Sequence, residues 1–368
     1  MEILQKANLD QPENDQLEIS LFGPSYGECI VVHYGNGKWL TIDSCLEDDR
    51  STPAAISYFN EIGVDLSNIT HVIVTHPDGD HIGGIGKLLS ACADSTLVVS
   101  SVLSDRQMVA YTTYYAQSDT SSLTQTTKEL YDILNESLKR HPYTPKYVLQ
   151  DTLIIENDFV KITALSPSSS KINNFLARVS QNLPQKNTNR IVPASLTPNA
   201  VSLVILVEVD GFSAILGADL EEHPGRGWTE IMNNSITYSN APGCILLKIP
   251  HHGSSNADCP AFWNSMKGAT AILAPFKRGN VQLPTQLDVE RILNYTNNAF
   301  STTRFSTQSK VKDHNVDKTL KEHGIQRKQL FPKLGHLRFR VKVHNVAQLA
   351  LFKNAVHLSM VNSTEHVH

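Results

Sequence analysis

The sequence predicts an α/β fold of layered sheets, with its chemistry-bearing residues at the ends of strands. Three observations predict it. Apolar β-branched runs alternate with amphipathic stretches along much of the chain. The run NITHVIVTH (68–76) is continuous and then stops abruptly in polar residues, as a buried strand does when it reaches a surface. GCILLKIP (243–250) ends in the same way, in His251-His252.

The elements follow in order. LEISLFG (17–23) reads as the first strand. ECIVVHYG and KWLTIDSC are strands joined by Gly-Asn-Gly, a hairpin signal. Residues 52–62 read as a helix: Ala54, Tyr58 and Ile62 recur at helical spacing, and Thr52-Pro53 suits an N-cap followed by N1. After the 68–76 strand, HIGGIGKLLSAC opens a helix and STLVVSSV is a further strand. Residues 123–140 read as a helix with one solvent-facing edge. TLIIEN and VKITALSP form a hairpin, and 167–199, rich in Ser, Asn, Gln and Pro, reads as a long loop. VSLVILVEV and FSAILGADL are joined by Asp210-Gly211, another hairpin turn. GCILLKIP and ATAILAP are strands, and 286–297 is a helix. Toward the end, HLRFRVKV (336–343) alternates as a strand does, and QLALFKNAVHLSMV is a strand or a helix. The expected organisation is one domain over 1–305 and a basic C-terminal extension over 306–368.

Composition narrows the class. With 40% hydrophobic and 18% charged residues, the chain has enough apolar material for a large core. A net charge of −4 gives no global attraction to polyanions, so any such case must be local. The five cysteines are scattered and lack C-x-x-C spacing, which argues for free thiols in a reducing compartment. The N-terminal segment is polar and no run approaches the length of a membrane span. A cytoplasmic protein with no membrane partner is expected.

The strongest motif is Thr75-His76-Pro77-Asp78-Gly79-Asp80-His81-Ile82-Gly83-Gly84. It places four metal-ligating side chains within six residues, between a buried strand and a helix. Imidazole and carboxylate together suit zinc, iron or manganese. An ordinary helix cap needs one such group, not two histidines and two aspartates.

This stretch resembles the H-x-[HD]-x-D-H motif of the metallo-β-lactamase superfamily, and is most similar to the branch containing the ComEC competence hydrolase domain. Gly27-Glu28-Cys29 through Asp43-Ser44, Asn199 through Val204, Gly217-Ala218-Asp219-Leu220 and Lys248-Ile249-Pro250-His251-His252-Gly253-Ser254 resemble further motifs of that branch, in order. The resemblance implies an αββα sandwich of the metallo-β-lactamase fold and a hydrolase that uses two divalent metal ions, Zn or Mn, to activate water. His76 and Asp78 would hold the first metal, Asp80 and His81 the second, and Asp219 would bridge them. His251 would complete the second site as the first histidine off its strand, with His252 supporting the ligands from behind or contacting substrate. Asp80 would also orient the attacking water. Two departures stand out: Asp78 replaces a frequent histidine, and Asn199 stands near the place of the usual third motif.

The resemblance favours a phosphodiesterase or nuclease acting on DNA or RNA, in a defence or DNA-uptake setting. Two locally basic segments point the same way. Between Asp158 and Glu208 lie Lys161, Lys171, Arg178, Lys186 and Arg190 with no acidic residue, and 304–342 carries a net +8. Phe339 between Arg338 and Arg340 suits stacking on a base. The alternatives are a small ester, thioester or lactone hydrolase, and a metal-binding sensor with a protein partner in a larger assembly.

Overall fold

The computed structural model describes residues 1–4, 7–24, 27–104, 133, 145–181, 198–224, 226–279, 281–304 and 333–358. In chain order the elements are β1 (Glu2–Leu4), β2 (Gln16–Gly23), β3 (Cys29–Tyr34), β4 (Trp39–Ile42), α1 (Ala54–Glu61), β5 (Ile69–Val74), α2 (Ile85–Ala91), β6 (Thr96–Ser100), β7 (Lys146–Val148), β8 (Thr152–Glu156), β9 (Val160–Ala164) and α3 (Ser169–Gln181). They continue with β10 (Ile205–Val209), β11 (Phe212–Leu216), α4 (Trp228–Asn234), α5 (Ile236–Asn240), β12 (Cys244–Lys248), α6 (Pro260–Ser265), β13 (Thr270–Leu273), β14 (Phe276–Arg278), β15 (Val281–Leu283), α7 (Gln286–Tyr295), β16 (Ala299–Ser301), β17 (Gly335–Lys342), β18 (Gln348–Lys353) and β19 (Val356–His357).

Two large sheets face each other. One has the order β1-β18-β17-β2-β3-β4-β5-β6-β7, the other β19-β16-β13-β12-β11-β10-β9-β8. Between them lies an apolar layer that includes Leu17, Ile19, Leu21, Val32, Leu40, Ile73, Val98, Ile205, Val207, Leu246 and Ile272. The outer face of the first sheet packs against α1, α2 and α3 through Tyr58, Phe59, Leu88, Leu89, Phe175 and Val179. The outer face of the second packs against α4, α6 and α7 through Trp228, Phe262, Trp263 and Ile292. Helices thus cover both outer faces, which is the αββα sandwich of the metallo-β-lactamase fold. Strands β4, β5 and β6 are parallel, as are β11, β12, β13 and β16. Their carboxyl ends open at one edge, where α/β sheets place ligand sites.

Local chemistry explains most of the elements. The β3–β4 connection puts Asn36 and Gly37 at positive φ, as a tight hairpin turn requires. Helix α7 is closed by a capping box between Thr285 and Asp288. Cys29, Cys45, Cys92 and Cys259 are buried and Cys244 is half-buried. Among the described residues, no helix is long and apolar enough to cross a membrane.

Several expectations need correction. The loop expected over 167–199 contains the helix α3: Ile172, Phe175 and Val179 recur at helical spacing and are buried, a signal hidden by the polar residues between them. Thr52 does not cap α1, because its hydroxyl donates to Asp49 Oδ2 at 2.6 Å. The boundary at 305 does not separate the later strands from the domain. β17 lies between β2 and β18 in the first sheet, and β19 joins the edge of the second. Phe339 is 1% exposed, so it packs inside the sandwich and is not free to stack on a base. The helix expected at 123–140 lies outside the described residues apart from Ile133, which is helical and buried.

The charges of β17 are also used internally. Arg340 Nε donates to Glu18 Oε2 at 2.8 Å, and the same carboxylate accepts from Tyr58 and Ser20. Arg338 lies 3.1 Å from Asp10 and over the ring of Phe352. Lys342 pairs with Glu13 and Asp15.

Beside these cations, His336 is stacked between Phe22 and Phe352. Burial, reinforced by Arg338, Lys353 and Arg340, holds its pKa well below the ordinary imidazole value. The folded protein therefore keeps His336 neutral while the unfolded chain protonates it below about pH 6.5. Its contribution to stability is present above that pH and is lost as pH falls, at up to about 1.4 kcal/mol per unit. His336→Phe, which retains a ring and cannot take up a proton, is expected to flatten the fall in urea stability between neutral pH and about pH 5. An unchanged slope would refute this assignment.

Candidate metal centre

The centre is assembled from the carboxyl ends of the parallel strands. β5 leads into Thr75 and the His76–His81 loop, β11 into Gly217-Ala218-Asp219, and β12 into His251-His252. The loop must come close to Gly27: a Cβ there would sit 1.8 Å from the Asp80 carbonyl oxygen. Glycine removes that clash, and the next amide, Glu28 N, donates to the same oxygen at 2.9 Å. Asp43, Ala218, His251 and His252 all have positive φ, a concentration of unfavourable backbone at one site.

Four side chains converge. Asp80, His81, Asp219 and His252 each offer one ligand atom, and these atoms lie within 4.8 Å of one another. His81 Nε2 lies 3.3 Å from Asp219 Oδ1, and both atoms are buried without a hydrogen bond. His252 Nε2 lies 3.0 Å from Asp80 Oδ2 and 3.5 Å from Asp219 Oδ2. The far nitrogen of each ring is anchored. His81 Nδ1 meets Asp43 Oδ2 at 2.7 Å, and His252 Nδ1 meets the Ala274 carbonyl at 2.9 Å. Such anchoring directs the Nε2 lone pair inward and is the usual support behind a metal-ligating histidine. Asp43 is itself fixed by Thr75, whose amide and hydroxyl donate to its two oxygens at 2.7 and 2.6 Å.

The titration of these groups reflects the same crowding. Burial alone would raise Asp80 and Asp219, but the imidazoliums of His81 and His252 outweigh it. Asp80 is held at about 2 and Asp219 well below the usual carboxylate range. Burial would lower His81 and His252, but the carboxylates outweigh it, raising His81 well above normal and His252 to about 10. Two carboxylates and two imidazoles, with His81 Nε2 and Asp219 Oδ1 buried and unpaired, fit a divalent cation in mixed nitrogen and oxygen coordination.

The other expected ligands are placed differently. His76 is buried and its ring centroid is 4.2 Å from that of His81. Its Nδ1 faces Thr75 Oγ1, its Nε2 is unpaired, and burial followed by the charge of His81 lowers it to about 4. It is thus a neutral imidazole beside the four-residue group but outside it. Asp78 is half-buried, accepts from the Gly79 amide, and is raised by burial and then by Asp80. His251 was expected as the ligand, and the structure reverses the pair. His252 enters the group, while His251 Nδ1 lies 3.6 Å from Glu221 Oε1 and its Nε2 lies 3.4 Å from Asn199 Nδ2. The reason is backbone geometry. Positive φ at both histidines turns the chain sharply after Pro250, so the second ring, not the first, faces Asp80.

Glu28, Asp43 and Lys248 stand in the motifs, and Ser202 within the Asn199–Val204 stretch, with no role that the sequence alone assigns. Lys248 is fully buried. Its ammonium pairs with Glu28, donates to the Ala218 carbonyl at 3.0 Å and lies 3.8 Å from Asp219 Oδ1. Ser202 Oγ accepts from the Asp219 amide at 3.2 Å. A wholly buried lysine at a strand end is a signal in itself, but only the partner strand shows what it balances.

Residues 22–154 match the family model described as the metallo-beta-lactamase superfamily, a stretch that includes the His76–His81 loop. No curated protein matches the sequence at a significant level. Among solved structures, a Cronobacter sakazakii metallo-β-lactamase with a HARLDQ motif is 14% identical, over 54% of this chain and 55% of that one, with a TM-score of 0.31. The chain thus spans little more than half the length of that protein. The metallo-β-lactamase MIM-1 from Novosphingobium pentaromativorans is 12% identical over 67% and 86% of the two chains, with a TM-score of 0.34. A flavo di-iron protein from Thermotoga maritima is 14% identical over 51% and 32%, with a TM-score of 0.26.

Proposed function

We propose that the protein is a metal-dependent hydrolase whose substrate is a phosphodiester, in DNA or RNA. The observation that carries this reading is the convergence of Asp80, His81, Asp219 and His252, with His81 Nε2 and Asp219 Oδ1 buried and unpaired. A divalent cation held there would supply Lewis acidity, polarising a substrate oxygen and making water a stronger acid.

The chain's own residues would do the rest. Asp80 is the most exposed of the four and lines a cleft that reaches the surface, so substrate would meet it first. Its carboxylate stays ionised beside the charge of His81 and the hydrogen bond of His252, so it can accept a hydrogen bond from an attacking water and orient it. Asp43 and the Ala274 carbonyl keep the two rings oriented, so little reorganisation is needed during reaction. Lys248 offsets carboxylate charge beneath the group.

The test is hydrolysis of bis(p-nitrophenyl) phosphate, p-nitrophenyl acetate and a single-stranded oligonucleotide with added zinc or manganese. Metal-stimulated diester cleavage, removed by a chelator and reduced at least ~100-fold in Asp80→Ala, is expected. Cleavage of the acetate alone would overturn the substrate and keep the hydrolase. Metal binding without turnover on any substrate would replace the hydrolase with a metal-binding subunit of an assembly.

A further inference from the structure

Several cations of the two basic segments are engaged within the fold. Lys161 pairs with Glu208, Lys171 is buried, and Arg338, Arg340 and Lys342 are paired within the sandwich. A different element carries free positive charge beside the metal centre. The β14–β15 hairpin borders a cleft lined by Pro24, Gly27, Asp80, Phe276, Lys277 and Arg278. Lys277 and Arg278 are exposed and have no carboxylate partner among the described residues.

The hairpin's orientation follows from its pleat. The ring of Phe276 stacks on His252, with centroids 5.3 Å apart and planes 27° apart. Residues two apart in a strand share a face, so Arg278 lies on the side that Phe276 turns toward the metal centre. Its cross-strand neighbour is Val281, which is 56% exposed and adds apolar surface next to the guanidinium. A guanidinium matches a phosphate with two parallel donors, and an adjacent lysine adds charge.

We infer that Arg278 binds a second, non-reacting phosphate of the substrate, flanking the diester at the metal centre. Placing the reacting diester at the metals rests on the hydrolase reading; the anion subsite rests on the hairpin. The shared ligand chemistry is a phosphodiester with a neighbouring phosphate, as in a nucleic-acid strand or a phosphorylated dinucleotide.

The experiment is equilibrium binding of fluorescent single-stranded oligothymidylate, oligouridylate and a 5′-phosphorylated dithymidylate to the full chain, across a salt series. Chelated and zinc-loaded samples are run separately. Arg278→Ala is expected to weaken strand binding roughly tenfold and lower the slope of log K against log salt by about 0.7, the value for one phosphate contact on a single strand. Lys277→Ala should weaken it less, and Arg278→Lys should recover part of the loss. Equal effects on strand and dinucleotide would assign the subsite to the nearest phosphate; an effect on strands alone would assign it to a polymer. Unchanged affinity and slope in Arg278→Ala, or no binding of any of these ligands by the native chain at low salt, would overturn the inference. Binding that depends on Arg278 without hydrolysis would keep the subsite and remove the hydrolase. Diester hydrolysis with binding indifferent to Arg278 would do the reverse.

Discussion

His252→Ala is expected to lower zinc affinity at least ~100-fold, whereas His251→Ala should leave it within a few-fold of native. Outer-shell partners alone are typically worth 10–100-fold, and a direct ligand is worth more. The two residues are neighbours in sequence, similar in chemistry and both at positive φ, so a general disturbance of the turn would affect both variants. Only the geometry separates them. His252 Nε2 is 3.0 Å from Asp80 and 3.5 Å from Asp219, whereas the contacts of His251 run to Glu221 and Asn199. Metal content by elemental analysis after dialysis, with hydrolysis measured alongside, reads the difference. Equal loss in both variants, or loss in His251→Ala alone, would show that the assignment of the pair is wrong.

The second large effect concerns the charge beneath the centre. Lys248→Met removes the ammonium paired with the buried Glu28 and leaves that carboxylate only the more weakly placed His252 and His81 rings, at a cost of about 3–5 kcal/mol. It also removes one of the two hydrogen bonds to the Ala218 carbonyl, leaving that of the His251 amide, and so loosens the strained turn that presents Asp219. Stability and metal affinity should fall together. Removing the partner charge as well, in the double variant Lys248→Met with Glu28→Gln, should recover much of the stability but not the metal affinity, because the lysine's hydrogen bond to the Ala218 carbonyl is still missing. A double variant no more stable than Lys248→Met alone would show that the pair is not the source of the cost. Full recovery of metal affinity would show that the lysine acts by charge alone.

Much of the fold was legible because it is written in strand periodicity. The hairpins at Gly35-Asn36-Gly37 and Asp210-Gly211, and the buried runs ending at His76 and His251, appear in the sequence as they appear in the sheets. Helix α3 was not, because three buried apolar positions, Ile172, Phe175 and Val179, in a thirteen-residue segment that is mostly polar declare a helix only once a sheet is known to receive them. The place of β17 was hidden for a related reason: Arg338 and Arg340 look like surface charge until Asp10 and Glu18, more than three hundred residues earlier, are brought beside them. At the centre, the ligand types and the His76–His81 loop were readable, and their assignment was not. The choice between His251 and His252 depends on two backbone dihedrals, and the roles of Asp43 and Lys248 depend on which strands are neighbours.

The most direct test of the central claim is anomalous diffraction from crystals of the protein grown with zinc. The account places an anomalous peak within bonding distance of Asp80, His81, Asp219 and His252, with both imidazoles bound through Nε2 at about 2.0–2.1 Å. A peak held instead by His251 and Glu221, or no peak among these residues at saturating zinc, would contradict it.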